Sequence, residues 1–456
     1  MNITRMTKPL RRLITSIALI LSIAISSGCA ESTREQPTGK GEVRGINSIV
    51  DAPELWFQIE ERNQGIISFR EATGLNNWDD LSYNFNFDLL RPGIIDPDRI
   101  ATQLIDVIAD TEYTLILTGS LDNASIIVWE DPDREWSGTE TVWEAIFTHL
   151  SPQLGQVDVY FAAPGTTPIL GDSIGTLANG ERLPIIEYEQ GQYELILTPP
   201  GDPSTILFMS STINSVPENR PIFAIFDPDP TIPGPIPVNL IGENGTSINI
   251  ADPNFSATVR LLHASFATEN VDGYFNLDFN NLIFPNVGYK EISAYADIAN
   301  AFTSVNLTAV GNIGADILSS DILTVAGTKR TLVLAGEPGN VFFNVLLEDG
   351  RPVSTFPIIR VANFAINYDF VDVYIEEPGT DINDAQPRFF ALSTQLDTGF
   401  VPAIDGLREL TITDVFSKDA ISVPITLDLS AGDVVSIGIF DTVDPLVIEA
   451  FVYDAQ

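Results

Sequence analysis

Cysteine occurs once in this chain of 456 residues, histidine twice and methionine three times, and Lys plus Arg number 23 against 62 Asp plus Glu. Each shortage excludes something. One thiol cannot form an intramolecular disulfide, so every domain must stand on its own apolar core. Two imidazoles, His149 and His263, cannot supply a histidine-rich zinc centre. A formal charge of −39 with no basic stripe argues against nucleic acid and anionic lipid surfaces as partners, because both need a cationic footprint. Long apolar runs are scarce as well. The clearest, from Leu13 to Ile25, is too short for a comfortable membrane span.

That run follows Arg5, Lys8, Arg11 and Arg12 and is closed by Ser26, Ser27, Gly28 and Cys29, the pattern of a secretory signal peptide over residues 1–28. The small residues before Cys29 resemble the lipobox of bacterial lipoproteins. The resemblance implies a lipidated Cys29, anchorage in a lipid bilayer by acyl chains and a polar tether over 29–41. Ala30 lacks the Asp that favours inner-membrane retention in such lipoproteins, which implies the outer membrane.

Beyond the tether the chain repeats itself at intervals of about a hundred residues. One position reads Asn47, His149, His263 and Asn363. A little further on stand Glu54, Asp158, Asp272 and Asp372, and two residues after each comes an aromatic: Trp56, Tyr160, Tyr274 and Tyr374. Each unit ends on an apolar run leading into an acid, Asp131, Asp227, Asp349 and Asp454. These landmarks give modules over 42–137, 140–230, 255–352 and 356–456. The five prolines between Asp227 and Asn239 cannot join a central strand, so 231–254 reads as a linker.

Within a module the periodicity is that of β-strands. In "VDVYF" Val157, Val159 and Phe161 share one face and Asp158 and Tyr160 the other. Short runs bounded by Gly, Pro, Asp and Asn imply hairpins and meanders. The stretch "DPDRIATQLIDVIAD" is the best candidate for a helix. The expected fold is all-β: four tandem β-sandwich modules of immunoglobulin-like size.

The motif resembles the bacterial family known as domain of unknown function 4397, whose opening runs R-V-x-H-A-S to V-D-V-Y. The third module carries it best, with Arg260, His263, Ala264, Ser265, Val271, Asp272 and Tyr274, then Tyr289, Ser293 and Tyr295. The resemblance implies secreted or surface-anchored β modules, often in tandem, and no activity.

Candidate chemistry is thin. The His/Asn alternation at 47, 149, 263 and 363 suits a framework hydrogen-bonding group, since catalysis would not survive that exchange. "GDSIG", Gly171 to Gly175, fits a G-x-S-x-G elbow, but a strand-like run follows where a helix is required. Acids at the module ends raise calcium as a bridging ion. The acid–aromatic pairs, Glu54 with Trp56, Asp158 with Tyr160, Asp272 with Tyr274 and Asp372 with Tyr374, form either a binding face for a glycan or envelope protein, or a framework in which the acid accepts from a backbone N–H or from Arg260 or Arg360. The sequence therefore implies an envelope protein that presents or binds through repeated modules, without catalysis and without a cofactor. Two rivals stand beside it, an enzyme or accessory subunit of a polysaccharide-acting system, and a calcium-stiffened adhesion stalk.

Overall fold

The computed structural model describes residues 36–229, 234, 236–299 and 301–455, and among them it holds strands and turns but no helix. The expected signal peptide and Cys29 lie outside the described residues. The first module comprises β1 (Lys40–Asn47), β2 (Leu55–Ile59), β3 (Arg62–Ile67), β4 (Asn76–Asp79), β5 (Ser82–Leu89), β6 (Asp98–Asp106), β7 (Thr111–Ser120) and β8 (Asn123–Pro132). They form two sheets, ordered β4-β1-β7-β8 and β3-β2-β5-β6. β1 and β7 run parallel, and the other neighbours are antiparallel. Alternation places Leu55, Phe57 and Ile59 of β2 between the sheets, against Val43 of β1 and Leu115 and Leu117 of β7.

The same order recurs three times. The counterparts of β1 are Val142–His149, Ala257–His263 and Ile358–Asn363, paired in parallel with Ile222–Ile225, Lys329–Glu337 and Val434–Asp441. The V-D-x-Y motif forms the counterparts of β2, Val157–Ala162, Val271–Phe275 and Phe370–Glu376. Four tandem β-sandwiches are therefore present, as the periodicity implies.

Some expectations change. The candidate helix is β6: it pairs along the length of β5, burying Ile105 and exposing Leu104, so cross-strand pairing overrides the helical spacing. β1 begins at Lys40, inside the expected tether. The segment 231–254 is no linker, because it carries strands Val238–Ile241 and Ser247–Asn249. The first of these pairs with Ile222–Ile225 as β8 pairs with β7, so "PIFAIF" matches β7 rather than the closing strand. In sequence the prolines lie between Ile222–Ile225 and Val238–Ile241.

The outer faces of the β1-containing sheets pack in pairs: Ile46, Ile116 and Trp129 meet Ile146, Ile222 and Ile241 of the second module, and Leu262, Val333 and Leu346 of the third meet Ala362, Phe440 and Tyr453 of the fourth. Val353, Phe356, Ile358 and Val434 then join the core cluster of the first module. The chain folds back so that its first and fourth modules touch.

Candidate functional site

Asn47, His149, His263 and Asn363 are fully buried where the β1 counterparts end. Asn47 Oδ1, His149 Nδ1 and Asn363 Oδ1 each accept from the N–H two residues on, of Ile49 (3.0 Å), Ser151 (3.2 Å) and Ala365 (3.2 Å). The Nε2 atoms of the two histidines pair with the carbonyls of Gly155 and Glu269. Burial lowers the pKa of both rings, which keeps them neutral. At Asn47, His149 and Asn363 an amide and a neutral imidazole supply the same acceptor, whereas His263 Nδ1 is buried without a partner.

The repeated acid has a second task. Asp272 Oδ1 accepts from Asn286 N at 2.8 Å and Oδ2 from Gly311 N at 2.9 Å. Asp372 accepts from Ala391 N and Phe416 N, at 2.8 and 3.3 Å. Asp158 takes the Thr176 hydroxyl and Gly201 N, the latter at 2.7 Å. Across the sheet from each Asp stands a buried threonine, Thr198, Thr308 or Thr413, and the clamped N–H lies three residues beyond it, in T-P-P-G, T-A-V-G and T-D-V-F. That second repeat was readable in the sequence but inconspicuous, because only its first residue is constant. Each of these three aspartates thus ties a strand to a turn, through backbone N–H donors and, at Asp158, a hydroxyl as well; of the two framework donors the sequence suggests, it is the backbone N–H and not the arginine that is used. Arg260 and Arg360 instead face Glu348 at the boundary of the third and fourth modules, at 3.3 and 2.9 Å.

The rings beside these acids are closed in. Tyr160, Tyr274 and Tyr374 are buried and offer no exposed face. Phe279, from the segment 276–283, lies edge-on to Tyr274 at 5.2 Å. Lys418 Nζ sits 4.6 Å over Tyr374 and is held by the carbonyls of Ile382 and Ala385, in the segment 377–388.

The first module departs from this arrangement. β2 and β3 are joined by a tight turn at Glu60 and Glu61, so no such segment lies over Trp56. Trp56 is half-buried and Glu54 exposed. Both line a groove of about 430 Å³ between the first and fourth modules, with Ile66, Leu90, Phe356, Ile375, Ile404 and three arginines, Arg91, Arg388 and Arg408. The connection after β5 spans the gap: Gly93, at φ +77°, faces Ile404, and Arg91 Nη1 donates to Thr355 O at 3.4 Å. Arg91 also pairs with Asp98 at 2.7 Å. Arg408 Nη2 donates to Asp405 O, its Nε is buried without a partner, and its carboxylate neighbour Glu377 stands 3.8 Å away. Arg388 donates to Pro402 O at 2.9 Å. One carboxylate and three guanidiniums around apolar walls can hold an anion; a two-carboxylate hydrolytic site is not formed there.

Elsewhere the chemistry is already engaged. Ser173 of "GDSIG" lies in an irregular stretch that leads into strand Gly175–Leu177, with no helix after it, so no elbow forms. Asp131 binds Arg182 of the second module, and Asp454 binds Arg260 of the third, at 2.6 Å for the latter. Asp227 accepts from Ser151 and Gln153 N within its own module. Among the described residues Glu42, Glu112 and Asp133 bring carboxylate oxygens together, but Arg220 already pairs with Glu112 at 3.1 Å.

Fold and groove define a class: tandem β-sandwiches that enclose a concave site between modules. Residues 257–374, the third module and the opening of the fourth, match the family model of a domain of unknown function, DUF4397. The comparison with curated proteins finds no match. Among solved structures, a family 26 carbohydrate-binding module of Eubacterium rectale Amy13K, in complex with maltoheptaose, is 14% identical, covering 46% of this chain and 98% of its own, with a TM-score of 0.16. The Bacillus anthracis TIE protein is 8% identical, covering 85% of this chain and 75% of its own, also with a TM-score of 0.16. Scores this low leave fold and ligand to be argued from this chain alone.

Proposed function

We propose that this protein is a non-catalytic binding protein of the bacterial envelope, anchored through Cys29 to the outer membrane, whose ligand site is the groove between its first and fourth modules. The observation that carries the reading is Trp56. The same repeat position is a covered tyrosine in three modules and an uncovered tryptophan in one, and that one borders a concave space. A framework residue repeats; a recognition residue is left accessible where its copies are buried. The lining includes neither histidine nor a second carboxylate, which favours binding over hydrolysis.

The test is a glycan array and an envelope-extract pull-down with wild type and Trp56→Ala. Retained ligand is expected to fall at least tenfold in the variant, with the melting temperature little changed, because an aromatic in a concave site contributes about 2 kcal/mol or more to binding. Equal retention by both forms removes the groove from the function.

A further inference from the structure

We infer that the groove takes a small amphipathic carboxylate, its head held by Arg388 and Arg408 and its apolar body laid against Trp56, Ile66 and Ile404. This deepens the reading of the groove as the ligand site and rests on it.

The head follows from unspent donors. A guanidinium stays charged in any protein environment and carries five N–H donors. Arg408 uses one on Asp405 O, holds Nε buried without a partner, and has its carboxylate neighbour Glu377 at 3.8 Å on a side chain that is 81% exposed. Arg388 lies at the surface, donates to a carbonyl, and makes no ion pair among the described residues. Both guanidiniums therefore bring donors to the groove without a carboxylate closer than 3.8 Å among the described residues. A carboxylate matches the planar fork of arginine with two parallel hydrogen bonds, which a hydroxyl cannot.

The body follows from the walls. Ile66 of the first module is 54% exposed and Ile404 of the fourth 45%, and both line the groove with half-buried Trp56. Facing apolar surface contributed by two modules is covered favourably by an apolar ligand, at about 25 cal/mol per Å² removed from water. A neutral or acidic sugar would call on amides and hydroxyls, and the lining offers Glu54 as its one polar side chain besides the arginines. An anionic bilayer surface is opposed by the charge of the whole chain. A free amphipathic carboxylate satisfies both halves of the groove.

The test is isothermal titration of the purified full chain with octanoate, with 1-octanol as its uncharged match and with oligoglucuronate as an acidic sugar. Saturable octanoate binding is expected, at least tenfold weaker for octanol and for Arg388→Gln with octanoate, and no binding of oligoglucuronate. Arg388 is exposed, so the variant should keep its fold, and Ile404→Glu provides a second, surface substitution expected to abolish octanoate binding. Equal affinity for octanol, or octanoate binding unchanged in Arg388→Gln, overturns the anionic head. Preferential binding of oligoglucuronate overturns the apolar body. If octanoate fails while Trp56→Ala still loses the envelope ligand, the carboxylate inference falls and the binding role of the groove stands.

Discussion

A carboxylate that accepts two backbone N–H bonds can hold a turn in a backbone conformation that its sequence would not choose. In the second and third modules the residue clamped beyond the threonine is glycine, Gly201 at φ +73° and Gly311 at φ +70°. In the fourth it is Phe416, at φ +61° and 85% exposed, its ring edge-on to that of Phe390 at 5.3 Å. A bulky residue in the left-handed region costs about 1–2 kcal/mol, more than the entropy cost of a glycine there. Phe416→Gly is therefore expected to stabilise the chain by about 0.5 kcal/mol or more, read as a higher melting temperature. A lower one would mean that the Phe390–Phe416 contact outweighs the strain. The V-D-x-Y repeat was legible residue by residue, but the side on which its tyrosines end up was not. Whether Tyr274 or Trp56 is open depends on the length of the connection to the next strand, and alternation cannot report what folds over a face.

Strands were legible wherever alternation was clean, and the misreadings fell where pairing partners decide. β6 has apolar residues at helical spacing, yet its ladder to β5 makes it a strand. The closing strand of the second module was hidden by the prolines before it, which look like a spacer unless the eight-strand order is already known. Val238 distinguishes the two readings directly. It is fully buried and sits in the core cluster of the second module with Phe223 and Ile225. Val238→Ala should cost about 1–3 kcal/mol in chemical denaturation, from lost burial and the cavity left behind. A linker residue would show no change beyond error, and that outcome would dismiss the strand assignment.

At the scale of the whole molecule, stability depends on how modules meet, and the meeting of the first two is rich in charge. Arg44 and Arg220 are buried among Glu112, Glu42, Glu144 and Glu243, with Asp133 nearby. Burial pushes Glu112 up to about 7 in spite of the two arginines, and it raises Glu42 as well. A carboxyl whose folded pKa is raised takes up a proton on folding, so its favourable contribution is complete below the ordinary carboxylate value and is lost as pH climbs through 7. The two buried histidines have lowered pKa values and act in the opposite sense, withdrawing stability as pH falls below about 6.5. The window in which Glu112 titrates without opposition from the histidines therefore runs from pH 6.5 to 8. Across it the melting temperature of wild type is expected to fall, and Glu112→Gln should flatten the slope, since a neutral amide keeps a hydrogen-bonding group beside Arg220 without the titration. A slope preserved in Glu112→Gln would place the pH sensitivity elsewhere in the molecule. Because the carboxylate sits between two modules, loss of wild-type stability at pH 8 should start with their separation, and proteolysis should then cut first in the segment 133–141 that joins them.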